Sequence, residues 1–425
     1  MTAPAPRAAP ARAASAPAAF SARAAPAAHA TEAHLLEEAP EPGPRSARTE
    51  PPAQRATWAE IDLDAIAGNV AALKAQAAAP RLLAAVKADG YGHGLVAAAR
   101  AALRGGADWL GVAMVEEGAA LRAAGVGAPI LVFTEPPATA IDALLDARLT
   151  PSVYSPTFTM ALDARAAERG DPPVAVHLKL DTGMRRVGVP EADWPDALRR
   201  VRDARHLTLQ GLWSHLAVAD EPGHPFTDQQ AAAFDRGLAL ARELGVAPAL
   251  AHLTNSAGTV LRHADHHDMV RAGLAVYGLA PVPGRDVGVA LRPALSWYSR
   301  LSLVKRVAAG EGVSYGLRWA ASSPTTVATV PAGYADGVRR ALGGRAEVLM
   351  RGRRVPMVGT VCMDQFLVDV GEQRAMVGDE VVLIGEQGGE RITAEDWAAL
   401  LATISYEVVC GIGARVPRTY VGAQG

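Results

Sequence analysis

A lysine closes the apolar run Leu82-Leu83-Ala84-Ala85-Val86-Lys87. A glycine-rich turn, Gly90-Tyr91-Gly92-His93-Gly94, leads from it into the helical stretch Leu95–Leu103. A cation at the end of a buried strand is costly unless the chain uses it. Desolvation lowers a lysine's pKa, and the neutral amine is a nucleophile that forms Schiff bases. The glycines leave room for a ligand beside that amine. Taken alone, Lys87 reads equally well as a side chain reaching solvent from a strand end.

Four further segments carry polar groups that a fold alone does not require. They are Val176–Gly188 with Lys179 and Arg186, Ser214-His215, His252–Gly258 with Asn255-Ser256, and Val270–Gly278 with Arg271, Gly273 and Leu274. Singly, each has a plain structural explanation: a satisfied core histidine, a helix cap, an ion pair. Together they describe a pocket for a phosphate-bearing aromatic cofactor. Ser256 and glycine amides near Gly273 can cradle a phosphate, as late βα loops of barrels often do. Arg271 can donate to a ring nitrogen, His215 can stack on a ring, and Lys87 can hold the cofactor covalently. These are the needs of pyridoxal 5'-phosphate.

The elements that must position these groups alternate. Strand candidates are Arg81–Val86, Trp109–Ala113, Pro129–Phe133, Pro151–Tyr154, Val174–Leu180, Leu209–His215, Ala249–Thr254 and Met269–Tyr277, with helical patterns such as Ala192–Ala204 and Asp228–Leu244 between them. This rhythm predicts an α/β fold, a (β/α)8 barrel of the TIM type over residues 56–288. The polar groups fall at or near the C-terminal ends of the strand candidates, the catalytic face of such barrels. No glycine fingerprint follows a first strand, which argues against an open doubly wound sheet. Beyond residue 288 the runs Leu295–Val307, Thr325–Val330, Ala346–Met350, Val361–Val370 and Glu380–Ile384 predict a mostly β domain over 289–425.

Composition bounds the rest. The chain has 425 residues, half of them apolar, and a net charge of -2, which gives no footing for nucleic acid. No apolar run is long enough to cross a membrane. Two cysteines, Cys362 and Cys410, fit a reducing, cytoplasmic setting better than a disulfide framework. Residues 1–55 stand apart: sixteen of the first thirty are Ala, five are Pro, and no acid precedes Glu32. That composition predicts a disordered extension. The His263-Ala264-Asp265-His266-His267-Asp268 run looks metal-like but lacks a defined ligand spacing, so no metal site is expected there.

The segments Ala85–Gly94, His177–Gly188, His252–Gly258 and Val270–Gly278 resemble those of the alanine racemase family. So do Val313-Ser314-Tyr315-Gly316, Pro331–Gly337, Cys362-Met363-Asp364 and Ser405-Tyr406-Glu407. The resemblance runs in order through residues 57–421. It implies pyridoxal phosphate on Lys87, a small amino acid (alanine) as substrate, and a homodimer that shares its sites. Lys87 would be one base and Tyr315, from the second subunit, the other. Tyr91, His215, Asn255, Ser256, Arg271, Gly273, Leu274 and Tyr406 would surround the cofactor, with His252 behind Arg271. Arg186 and the Met363 backbone would meet the substrate, supported by Lys179 and Asp364. Lys179 stands where some relatives carry a carbamate. Thr360 replaces an arginine common in the channel of relatives, and Arg185 replaces a small residue, so the approach to the site is expected to differ.

Two bases on opposite faces suit a racemase. An arginine at the ring nitrogen cannot readily supply a proton, which limits side reactions. Barrel-type decarboxylases are expected to place an acid there. Non-catalytic pyridoxal-phosphate carriers lack a β domain. A racemase of broader specificity is the remaining alternative, since spacing does not measure pocket volume.

Overall fold

The computed structural model describes residues 55–423. The expected disordered extension lies outside the described residues, apart from Arg55. That residue is anchored: its guanidinium donates to the Asp336 carboxylate and to the Arg415 carbonyl. Composition cannot show that one side chain finds a buried acid.

The chain enters through β1 (Trp58–Asp62) and a helix over Leu63–Gln76, whose first turn is capped by the Asp62 carboxylate accepting from Ala65 N. Eight parallel strands then form a nearly closed barrel: β2 (Arg81–Ala85), β3 (Trp109–Val112), β4 (Ile130–Val132), β5 (Thr150–Val153), β6 (Val174–Lys179), β7 (Leu207–Trp213), β8 (Leu250–His252) and β9 (Met269–Ala272). The expected barrel is therefore correct. Its strand order runs β8-β7-β6-β5-β4-β3-β2-β9. The seam between β8 and β9 is spanned by two backbone bonds, Asp268 N to Ala251 O (3.0 Å) and Arg271 N to Thr254 O (3.2 Å). The Asp268 carboxylate adds a third by accepting from Ala251 N. Asp268 and its neighbour His266 thus serve structure. Both His266 ring nitrogens are used, Nδ1 accepting from Ala78 N and Nε2 donating to Thr259 O.

Register decides which side chains share a layer. In parallel pairs, matched residues point to the same face. Lys179, Trp213 and His252 are matched across β6, β7 and β8, and His177 pairs with Gly211. Gly211 has a steric reason: a Cβ there would lie 2.6 Å from the His177 ring. The barrel interior also holds an apolar plug of Leu83, Trp109, Leu131, Leu250 and Met269.

The remaining strands are β10 (Leu295–Arg300), β11 (Leu303–Val307), β12 (Gly312–Val313), β13 (Trp319–Ala320), β14 (Thr325–Val330), β15 (Glu347–Met350), β16 (Arg353–Val358), β17 (Phe366–Gly371), β18 (Glu380–Gln387), β19 (Glu390–Ile392) and β20 (Arg418–Val421). All but the β12–β13 pair join one sheet, ordered β11-β14-β17-β16-β15-β18-β10-β1-β20, with β19 on β18. The mostly β second domain is as expected. β1 falls within the range expected for the barrel, yet it pairs with β10 and β20 in the second sheet. Alternation marks a strand but cannot name its sheet, and both partners of β1 are over 200 residues away. The predicted strand Leu295–Val307 divides because its halves pair with different neighbours, β18 and β14. The predicted strand Val361–Val370 begins only at Phe366, since Cys362–Gln365 closes a turn through Cys362 N to Gln365 O.

Candidate active site

Lys87 follows β2 after Val86, and the backbone then enters an unusual turn. Ala88, Asp89, Gly90 and Tyr91 all adopt positive φ, at 52°, 53°, 61° and 52°. Side-chain-bearing residues avoid this left-handed region at roughly 1–2 kcal/mol each. Surrounding groups fasten the turn. The Glu117 carboxylate accepts from Ala88 N (2.6 Å) and from Ala113 N (2.9 Å), so it ties the end of β2 to the end of β3. Asp89 accepts from Leu95 N at 2.7 Å and so starts the following helix.

The glycines here correct an expectation. Gly92 and Gly94 serve packing rather than ligand room. A Cβ at Gly92 would sit 2.5 Å from Val409 O, and one at Gly94 would sit 2.0 Å from the Tyr420 hydroxyl. The glycine turn lets the C-terminal segment press against the barrel mouth.

That mouth is a cavity of about 550 Å³ lined by Lys87, Tyr91, Lys179, Arg186, His215, Asn255, Ser256, Arg271, Gly273 and Tyr406. Ten of the predicted site residues thus meet in one place. Trp213, Phe133 and Cys410 also line it and were not anticipated. Trp213 is the platform of the site. The Lys179 ammonium lies 4.0 Å from its ring centroid, Arg271 lies 4.8 Å away, and His252 stacks on it at 5.6 Å. The only signal that could have found Trp213 is its register with Lys179, which a single sequence does not display.

Five predicted residues lie elsewhere. His252 is buried outside the lining and is in hydrogen-bond contact with Arg271 at 3.0 Å. Leu274 is buried at the start of the turn Leu274–Tyr277. Tyr315, Met363 and Asp364 belong to the β part of the chain and are absent from the cavity lining. Tyr315 is 72% exposed and Met363 52%. Asp364 accepts from Arg415 at 2.8 Å. Thr360, expected to alter the approach to the site, is instead buried, and its hydroxyl donates to the Tyr315 carbonyl.

Arg271 organises the interior. Its guanidinium donates to the Ser214 carbonyl (2.6 Å), the Leu253 carbonyl (2.9 Å), His252 Nδ1 (3.0 Å) and His215 Nδ1 (3.0 Å). Arginine can only donate. Both Nδ1 atoms must therefore accept, and each ring carries its proton on Nε2. His252 Nε2 then donates to His177 Nδ1 at 2.8 Å. The chain Arg271–His252–His177 has a fixed direction. Burial without a counter-charge lowers the Arg271 pKa to about 9, which leaves it charged at neutral pH.

The same burial lowers Lys87, with the Arg186 charge adding to it and Glu117 opposing it. Burial, then Arg271 and Arg186, bring Lys179 down to about 7. Burial raises the Tyr406 phenol to about 12.

On the far side, Ser256 begins the helix Ser256–Leu261, with Asn255 as its cap through Gly258 N (3.0 Å). The Ser256 hydroxyl accepts from Gly273 N at 2.7 Å, which joins the two segments predicted to form a phosphate cradle. A Cβ at Gly273 would collide with the Tyr91 hydroxyl at 2.6 Å. Tyr91 stacks on Tyr277 and leans on Tyr406.

Buried histidines give the fold a pH dependence. Burial lowers His93 to about 4 and His177 to about 3, and it lowers His215 and His252 well below their usual range. Between about pH 4 and 6.5 the unfolded chain binds protons at these sites and the folded chain does not. Stability therefore rises with pH through that window and is lost as pH falls, each histidine contributing up to about 1.4 kcal/mol per pH unit. Denaturant unfolding from pH 7 to 4.5 is expected to show this decline. His177→Leu should flatten the slope by one histidine's share, and an unchanged slope would mean that His177 is protonated in the fold.

Two family models match the chain, "Alanine racemase, N-terminal domain" over residues 61–281 and "Alanine racemase, C-terminal domain" over residues 294–420. The chain belongs to the alanine racemase family. It is 49% identical over 369 residues to the alanine racemase of Symbiobacterium thermophilum, covering 87% of this chain and 98% of that protein. The crystal structure of alanine racemase from the D-cycloserine producer Streptomyces lavendulae is 43% identical. It superposes with a TM-score of 0.83, covering 88% of this chain and 98% of that one. The alanine racemase of Bacillus anthracis with bound L-Ala-P is 36% identical with a TM-score of 0.82, covering 88% and 97%. Both parts of the chain thus follow alanine racemases in sequence and fold, and the family matches leave the residues before Ile61 aside.

Proposed function

We propose that this chain interconverts L- and D-alanine, holding pyridoxal 5'-phosphate in the barrel-mouth cavity and drawing its second base from another copy of itself. One observation carries the reading. Lys87, Lys179, Arg186 and Arg271 line the cavity, and no aspartate or glutamate is among the described residues lining it. Such a site fits a ligand with a phosphate and a substrate with a carboxylate.

The residues present suit the cofactor. Lys87 would hold it, with Arg271 at the ring nitrogen and His215 beside the ring. Ser256, Asn255, Tyr406 and the Gly273 and Leu274 amides would take the phosphate, and Tyr91 would back them. When bound, pyridoxal phosphate supplies an electron-withdrawing ring that makes an amino acid's α-proton removable. The chain's own residues do the rest. The Lys87 amine, with its pKa lowered by burial, can take or return a proton on one face. The Tyr315 phenol serves the other face. Arg186 and the Met363 backbone orient the carboxylate, with Asp364 holding that loop through Arg415. We read Lys179 as carbamylated. A pKa near 7 gives it the neutral amine that this modification needs, and the added negative charge would sit among Arg186 and Arg271.

The homodimer rests on exposure. Tyr315, Leu317, Tyr334, Met363, Ile404 and Met114 leave large apolar side chains in solvent, with Leu317 67% exposed and Ile404 60%. A self-complementary pairing would cover such side chains and would deliver Tyr315 to a neighbour's cavity. A cytoplasmic place and a role in supplying D-alanine for peptidoglycan follow from this reading. Both cysteines are free, and no helix among the described residues is long and apolar enough to cross a membrane. A barrel decarboxylase or a cofactor carrier accounts for neither Arg271 nor the β domain.

The test is racemisation by the full chain with added pyridoxal phosphate across a panel of amino acids. Alanine should exceed serine, valine, glutamate and lysine in kcat/KM by at least about tenfold, roughly the discrimination that one or two methylenes give in a fitted pocket. Comparable rates for several would make the enzyme a broad-specificity racemase. No racemisation of any would overturn the reading.

A further inference from the structure

We propose that Thr360 and Ser314 form a two-bond clasp that holds the turn presenting Tyr315, so that Thr360 is a positioning residue for the second base. The inference rests on the reading of Tyr315 as that base.

The turn is the tip of the β12–β13 hairpin, and its backbone is strained. Ser314 sits at φ 61°, ψ -177°, a region almost confined to glycine. Gly316 follows at φ 74° and Leu317 at φ 45°. A tip of this shape persists only where its surroundings over-determine it. Packing of the tyrosine ring does not supply the restraint, because Tyr315 is 72% exposed in the single chain.

The restraint comes from the segment after β16. The Thr360 hydroxyl donates to the Tyr315 carbonyl at 2.9 Å. In return the Ser314 hydroxyl donates to the Thr360 carbonyl at 2.6 Å. Each residue gives one hydroxyl, and the two bonds bracket the peptide that sets the direction of Tyr315. The anchor is firm, since Thr360 is only 7% exposed. Inside the tip, Leu317 N donates to Ser314 O at 3.2 Å.

Gly359 explains how the two segments come so close. It has φ 68°, and a Cβ there would lie 2.9 Å from Ser314 Cβ and 3.0 Å from Val313 O. The sequence Gly359-Thr360 therefore reads as a unit: a residue without a side chain to allow the approach, then a hydroxyl to make the bond. A side chain without a hydroxyl at 360 could not make this bond, so the clasp is a property of the threonine. Its function is geometric. A base displaced by about 1 Å loses on the order of 10²-fold in rate.

Four full-length variants test the clasp: Thr360→Val, which keeps shape and removes the hydroxyl, Thr360→Ser, which restores it, Ser314→Gly, which accepts the backbone but cannot bond, and Tyr315→Phe. Thr360→Val and Ser314→Gly should lower kcat for alanine about 10- to 100-fold with KM changed less than about threefold, and Thr360→Ser should recover most of the rate. In D2O, exchange of the α-proton should slow for one enantiomer only, the one served by Tyr315. In cofactor-free protein, the amide of Leu317 should exchange faster in Thr360→Val than in wild type. If Tyr315→Phe racemises normally, the reading of Tyr315 as a base fails. If Tyr315→Phe is inactive while Thr360→Val matches wild type in rate and amide exchange, the clasp is wrong. Equal slowing of exchange for both enantiomers would also overturn it, by showing general damage. Should Thr360→Val fail to fold, Ser314→Gly against Thr360→Ser carries the same comparison.

Discussion

Lys87→Ala will lower racemisation of alanine by at least about 10³-fold, because one amine performs two tasks, covalent attachment and proton transfer. The side chain stands just past the end of β2 in a cavity it shares with Lys179, Arg186 and Arg271. Its pKa is lowered by burial first and by the Arg186 charge second. Among the described residues, Lys179 is the one other lysine lining the cavity, and it is held over the Trp213 ring. The strained turn after Lys87 keeps its backbone in one place, so a neighbouring amine cannot shift into its role. The variant should also lose the yellow colour of the holoprotein. Borohydride treatment of wild type should fix the cofactor to a peptide that contains Lys87. Lys305→Ala, at an exposed site on β11, is the control and should keep the wild-type rate. Activity within tenfold of wild type in Lys87→Ala, or labelling of a different lysine, would remove Lys87 from the mechanism.

The second large effect is a recovery. Lys87→Ala and Tyr315→Phe should each be nearly inactive alone and partly active when mixed. Tyr315 lies on the hairpin tip, outside the lining of its own chain's cavity. If a second copy supplies it, a mixed dimer holds one site with both lesions and one with neither. Random exchange makes half the dimers mixed, each with one of two sites intact, so activity should return to about one quarter of wild type. The measurement is an alanine racemisation assay after subunit exchange, with exchange verified by a size or charge tag. No recovery despite complete exchange would mean that both residues act within one chain, or that Tyr315 is not a base.

Much of this was legible in the chain itself. Barrel strands are short apolar runs separated by helices, and chemistry collects where those runs end. Lys87, Lys179, His215 and Arg271 therefore announced both the barrel and its working face. Residue type added the rest of that inference, since a lysine, an arginine, a histidine, a serine and glycines at or near strand ends match an anionic aromatic cofactor. Motif likeness singled out Tyr315 and Met363, which local pattern does not, and in the single chain both lie outside the cavity lining.

Only the tertiary structure decided how these groups relate. Register put Trp213 beneath Lys179 and Arg271, and a glycine at 211 admitted the His177 ring that continues the chain from His252. Pairing across more than 200 residues drew Trp58–Asp62 into the second sheet. Gly92 and Gly94, which looked like space for a ligand, proved to be space for Val409 and Tyr420. Thr360 looked like a channel residue and is the buried partner of the Tyr315 turn. The reason is physical. Periodicity, propensity and charge are properties of neighbours along the chain, and they determine which elements form and which groups those elements carry. Register, sheet membership and close approach depend on contacts between distant segments, so they exist only once the chain has folded.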